Sequence, residues 1–267
     1  MPRLVSPIMG TTVSFDVRDP EVPDELLVIA LDALRLLERR FSPFDLQSEV
    51  SRYGRGEIEG SDMSPELVEI LSACERLRHE SGGAFDPWGH RPDRRFDPSG
   101  FVKGWAADRA AFVLKAGGAK DFMINLGGDV ICAGEPAPGL HWQVGIRHPT
   151  DPGAVALVLA VRDGAVATSG QYERPDHLRD ARTGGLPGVW DSFSVVAPNL
   201  ELADALATTG FALGLEGPAF VIAHGGLVAA IRNNRLWTSP ELNRARTDPI
   251  AIERLAADHL ATSAPIM

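Results

Sequence analysis

At 267 residues, 44% of them hydrophobic and 23% charged, the chain can bury a full core without disulfide or metal staples. Its formal net charge of −10 excludes a surface built for the phosphate backbone, so nucleic acid is not an expected partner. Cys74 and Cys132 stand far apart with no CxxC or Cys/His cluster, which leaves two reduced structural thiols and signals neither a disulfide framework nor a zinc site.

The N-terminal MPRLVSPIMGTTVSF lacks the apolar run of a signal peptide, and no stretch approaches the ~20 apolar residues of a membrane span, so a soluble cytoplasmic protein is expected. In chain order, residues 11–17 alternate as a strand and residues 24–40 carry apolar positions at helical spacing. Ser64-Pro65-Glu66 supplies an N-cap, a proline at the first helical position and an acid in the first turn; Gly82-Gly83 ends that helix. A helix is predicted from Lys103 to Lys115, stopped by Gly117-Gly118. DFMINLGGDVICAGE then reads as strand, Gly-Gly turn and strand.

WQVGIRHP, AVALVLAV, GAVATSG and WDSFSVVAP continue the β pattern, and Leu200 to Leu213 is helical. FVIAHGG and LVAAIRNN read as a closing hairpin-like pair, and the polar tail after about Asn243 as loosely packed. Strands come in runs between helices, without strict strand-helix-strand alternation, which predicts an α+β fold in a single domain over 1–267.

Five segments could carry chemistry. Asp204 and Thr208 in ADALATTG lie four apart, so a helix stacks both oxygens on one face, where they can hold one hard cation such as Mg²⁺. Their neighbours are apolar or small and basic residues are distant in sequence, so a buried Asp204 needs a partner and a cation is a reasonable one. In FDPSGFVKGWAAD, Asp97-Pro98-Ser99-Gly100 is a turn sequence, and Lys103 at the start of a helix suits an anion. SGGAFDPWGH and NLGGDV are Gly-rich loops ending in Asp; neither is a P-loop or a dinucleotide fingerprint. HLRDARTG is unusually polar before a core strand, which suggests a ligand-facing loop in which His177 acts as acid, base or phosphate contact.

MGTTVSF, FSPFDLQSEVSR, SGGAFDP, FDPSGFVKGWAAD, INLGGDV, VATSGQYER, HLRDARTG and ADALATTG, in this order over roughly residues 9–215, make the chain resemble the ApbE family of FAD:protein FMN transferases. The resemblance implies an α+β, T-fold-like arrangement of mixed or antiparallel sheets with packed helices and FAD in an elongated cleft. It implies Mg²⁺-dependent transfer of FMN from FAD to a Thr or Ser hydroxyl of an acceptor protein, with release of AMP. It places FAD contacts at Met9, Phe44, Ala84, Phe85, Asp86, Asp97, Lys103 and Leu178, and the metal on the Gly100 carbonyl with Asp204 and Thr208.

His177 matches the family's histidine, and His177 or Asp180 is the expected base for the acceptor hydroxyl. Phe44 stands where the family often has Tyr, Ala181 replaces the usual Pro of the DPRTG run, and Ser81 replaces a common Thr. A Mg²⁺-dependent FAD pyrophosphatase and a non-catalytic FAD-binding or storage protein are the alternative functions.

Overall fold

The computed structural model describes residues 1–89, 93–170 and 188–247. Its strands are β1 (Arg3–Ile8), β2 (Thr11–Val17), β3 (Phe122–Leu126), β4 (Asp129–Ala133), β5 (Trp142–Arg147), β6 (Val155–Val161), β7 (Gly164–Ser169), β8 (Ser192–Ala197), β9 (Leu227–Arg232) and β10 (Arg235–Thr238). The helices are α1 (Asp24–Phe41), α2 (Glu49–Gly54), α3 (Pro65–Glu80), α4 (Ser99–Ala116), α5 (Leu200–Leu213), α6 (Gly217–Ala223) and α7 (Pro240–Thr247).

One eight-stranded sheet runs β1-β2-β3-β4-β7-β8-β9-β10, and β5-β6 form a separate hairpin. Every pair is antiparallel. The expected α+β class is what the chain adopts.

The period of two along each central strand divides the core in two. Ile131, Ala165, Ala167, Val195, Val228 and Ala230 face the main core with Phe122, Trp105, Leu114 and Leu206. Their alternates Val130, Cys132, Val166, Val196, Leu227 and Ala229 face a second core closed by Trp142, Val144 and Ile146 of β5, Leu157 and Leu159 of β6, and Leu242 of α7. Both faces of the sheet are thus covered, which is why β4, β8 and most of β9 read as nearly continuous apolar runs. Both cysteines are free and buried, and burial pushes their thiols up.

Three turns fix the sheet's register. Met9-Gly10 joins β1 to β2, Gly127-Gly128 joins β3 to β4, and Asn233-Asn234 joins β9 to β10, each with two positive φ values, as in the type I′ turns that match strand twist. At the first, Met9 takes φ 50, and its N–H donates to Glu38 Oε1 of α1 at 2.7 Å, tying the strained turn to a helix.

Several elements differ from the sequence reading. β1 and α2 were not anticipated, and α4 begins at Ser99, placing Lys103 in its second turn instead of at its start. Phe220–Ala223, expected in a strand, belongs to α6. Gly217-Pro218 starts this helix and Gly225, at φ 80, follows its end, so β9 pairs with β8 and β10 instead. α7 spans the start of the tail expected to be loose, with Leu242 fully buried.

By length and composition alone, Leu200–Ala223 is apolar enough to cross a membrane. Gly214 breaks that run at φ 63, and most of it is buried within the fold, so it is core helix here.

The N-terminus of α5 is held from two directions. Asn199 caps it through Leu202 N–H, and Asp108 of α4 accepts Leu200 N–H at 3.1 Å and Glu201 N–H at 2.8 Å, satisfying donors that a helix start leaves open. Burial raises the Asp108 carboxyl above its ordinary value despite these bonds. Replacing Asp108 by Ala is expected to cost about 1–2 kcal/mol of stability. A raised folded value means that the native protein holds this proton after the unfolded chain has lost it. The stabilising contribution is therefore largest below the ordinary value of 3.8 and shrinks as pH rises through the folded value. Denaturant titration of wild type and D108A from pH 4 to 8 checks both; a difference that grows with pH would contradict the sign.

Candidate functional site

α4 and α5 cross at Gly104. A Cβ on Gly104 would stand 2.8 Å from Asp204 Cβ and closer still to the Leu200 carbonyl, so only glycine permits this approach. The crossing places Asp204, 4% exposed, directly against α4. Gly104 N–H donates to Asp204 Oδ2 at 2.9 Å; in a regular α-helix that N–H is directed at the Gly100 carbonyl.

Lys103, one residue earlier, brings its Nζ to 3.7 Å from Asp204 Oδ1 and to 2.5 Å from Asp129 Oδ2. Asp204 was expected to need a partner because basic residues are distant in sequence; Lys103 is remote in sequence but adjacent in space. Burial pushes the Asp204 carboxyl up to about 7; Lys103 opposes this and Asp129 adds to it.

Asp129 follows the Gly127-Gly128 turn, and its Oδ1 accepts Thr168 N–H from β7 at 2.9 Å. Thr168 and Ser194, paired across β7 and β8, share a hydroxyl contact of 2.8 Å. The sequence reading noted NLGGDV as a Gly-rich loop ending in Asp but gave Asp129 no role, because the partner it meets lies on another element.

One turn before Gly104, a Cβ on Gly100 would stand 3.2 Å from both Phe85 Cε2 and Thr208 Cγ2. Gly100, Phe85 and Thr208 thus come together beside Lys103 and Asp204. Phe85 N–H is held by Ser81 Oγ at 3.1 Å, so the serine at the family's threonine position keeps an acceptor there.

Asp97, 5% exposed, folds onto the start of α4, its Oδ1 accepting Ser99 N–H at 3.0 Å and Ser99 Oγ–H at 2.5 Å. Asp86 Oδ1 accepts Trp88 N–H at 3.0 Å and lies 3.4 Å from Arg78 Nε. Ala84 is buried against Ala212 and Leu213. Met9 sits in the β1-β2 turn, and Phe44 projects from the loop after α1 with 79% exposure. His177, Leu178 and Asp180 lie outside the described residues, as does the whole of HLRDARTG. The chain leaves β7 for that segment just beyond Thr168, next to Asp129.

Among the described residues, no three or more His, Cys, Asp or Glu side chains gather as a metal cluster. A metal at Asp204 would need hydroxyl, carbonyl or water oxygens to complete its shell, which is the set that Thr208 and Gly100 offer and that Mg²⁺ accepts.

The family model described as the ApbE family matches residues 9–91 and 88–231. The chain belongs to the ApbE family. A protein of Treponema pallidum (strain Nichols), named FAD:protein FMN transferase, is 38% identical over 226 residues, covering 74% of this chain and 62% of that protein. A protein of the same name from Escherichia coli (strain K12) is 30% identical over 165 residues, covering 56% of this chain and 47% of that one. The chain therefore spans about half to two thirds of these two relatives.

The solved flavin transferase ApbE from Vibrio cholerae superposes with a TM-score of 0.79 at 22% identity, covering 91% of this chain and 98% of that one. The ApbE protein of Thermotoga maritima gives 0.81 at 22% identity, again covering 91% and 98%. These two structures establish that the α+β fold is that of ApbE proteins.

Because the helix crossing positions Asp204 against Lys103, Gly104→Ala should lower stability by about 1–3 kcal/mol through overpacking. Urea denaturation checks this, and an unchanged midpoint with an unchanged slope would show that α4 and α5 can separate without loss.

Proposed function

We propose that this ApbE chain is a Mg²⁺-dependent FAD:protein FMN transferase acting on a Thr or Ser hydroxyl of an acceptor protein. The observation that carries the reading is the ammonium of Lys103 set 3.7 Å from the buried carboxylate of Asp204, beside Gly100 and Thr208. Splitting a pyrophosphate needs positive charge against its oxygens, and Lys103 supplies one such charge at a partly exposed position. Asp204, Thr208 and the Gly100 carbonyl would hold Mg²⁺. Bound there, the ion would neutralise phosphate charge and stabilise the leaving group.

Phe85, Phe44 and Met9 would pack against the flavin, with Ala84, Asp86, Asp97 and Leu178 as further FAD contacts. Phe44 can offer only a stacking face, because it has no phenol hydroxyl. The acceptor hydroxyl oxygen bonds to the phosphorus of the FMN half while the bridging bond to the AMP half breaks, and AMP leaves. His177 or Asp180 takes the hydroxyl proton, a contribution of typically about 10²–10⁴-fold.

Incubating the protein with FAD and Mg²⁺, with and without a flavin-acceptor domain, tests the reading through AMP release and flavin fluorescence on a denaturing gel. Acceptor-dependent AMP with a fluorescent acceptor band is expected. AMP released equally without acceptor would make the protein a pyrophosphatase, and FAD binding without AMP would make it a flavin carrier. Asp204→Ala should abolish Mg²⁺-dependent turnover while leaving FAD binding largely intact; full turnover in that variant would refute the metal assignment. His177→Ala should reduce transfer more than FAD affinity, whereas an equal loss of both would make His177 a ligand contact alone.

A further inference from the structure

The two carboxylates around Lys103 are not equivalent. Nζ is 2.5 Å from Asp129 Oδ2 but 3.7 Å from Asp204 Oδ1. The Asp129 side chain is 2% exposed and that of Asp204 6%, while Lys103 keeps 29%. Asp129 is rigidly placed, since a two-glycine turn sets its backbone and Thr168 N–H holds its Oδ1. Its Oδ2 is paired with the ammonium by proximity, without a hydrogen bond of regular geometry. Asp204, by contrast, already receives Gly104 N–H on Oδ2 and meets Lys103 only at the longer distance.

A lysine on a flexible four-carbon stem loses side-chain entropy when it meets a ligand. A short ion pair with a fixed carboxylate orders it beforehand. We propose that Asp129 is the positioning residue of this site, tethering the Lys103 ammonium where it can meet the pyrophosphate of the substrate while Asp204 stays available to another cation. The proposal rests on the reading of Lys103 as a contact to the FAD pyrophosphate.

The lysines of the chain are Lys103, Lys115 and Lys120, so acylation followed by mass spectrometry gives a residue-resolved measure of each ammonium, with the exposed Lys115 and Lys120 as internal references. In the wild-type protein Lys103 should acylate more slowly than either. Asp129→Asn keeps an oxygen for Thr168 N–H but removes the charge, and should speed Lys103 acylation severalfold without moving the other two. FAD affinity, measured by flavin fluorescence with chelator present so that no turnover occurs, should fall about tenfold in D129N.

On a Lys103→Met background the same substitution should cost no further affinity, because the aspartate acts through the lysine. Asp129→Glu, which restores the charge at a displaced position, should recover part of the loss. Unchanged Lys103 acylation in D129N, or a full additional loss of affinity in the double variant, would overturn the proposal. If wild-type protein bound no FAD, the transferase reading would fail, and the acylation rates would still decide whether Asp129 holds Lys103. A D129N protein that failed to fold would leave the wild-type ranking of the three lysines as the deciding result: Lys103 as fast as Lys115 overturns the tether.

Discussion

The site depends on how closely α4 and α5 approach. At Gly104 the two helices meet with no side chain between them, and the peptide N–H of one helix is donated to a carboxylate of the other. Had any larger residue stood there, Asp204 would be displaced from α4 and its distance to Lys103, one residue away, would change with it. Asp108, one turn further along α4, fixes the same pair at the other end by capping α5. Between these contacts the crossing has little freedom, so Lys103, Gly100, Asp204 and Thr208 keep their relative positions without ligand.

The sheet supplies the third wall. Asp129 and Thr168 sit at neighbouring positions of β4 and β7, and their register is set by the antiparallel ladder together with the Gly127-Gly128 turn. Covering that sheet on both faces makes it stiff, because every central strand is packed on both sides. The β5-β6 hairpin, inserted between two adjacent strands of the main sheet, closes the second core and leaves the helix-bearing face to carry the chemistry.

The sequence made the long elements legible because each carries its own local signal. α3 has Ser64 accepting Leu67 N–H and Pro65 in the first turn, and α5 was placed correctly as a helix from Leu200 to Leu213. α6 was misread because a short apolar run has no period that separates strand from helix, and the deciding Gly217-Pro218 start is local chemistry of two residues. At the site, spacing along one helix paired Asp204 with Thr208, whereas Gly100 was expected in a turn ahead of the helix that carries Lys103 and instead lies in its first turn. Asp129 could not be read the same way. Its meaning comes from a contact across 26 residues of sequence to Lys103 and across 39 to Thr168, and only the sheet register brings those together.

Among the described residues, Asp129 and Asp204 both face the Lys103 ammonium in a nearly dry place, and Asp204 is driven up to about 7 mainly by its burial. Stability alone would favour apolar residues of similar size, because desolvating ions is rarely recovered by their mutual attraction. Lys103 does not neutralise the pair evenly: it leans on Asp129 and reaches Asp204 only at 3.7 Å. The outcome is a site with two characters side by side, a buried carboxyl and a partly exposed lysine. A perturbed acid and a cation held in fixed geometry by backbone are the features on which the proposed reaction at a charged substrate depends.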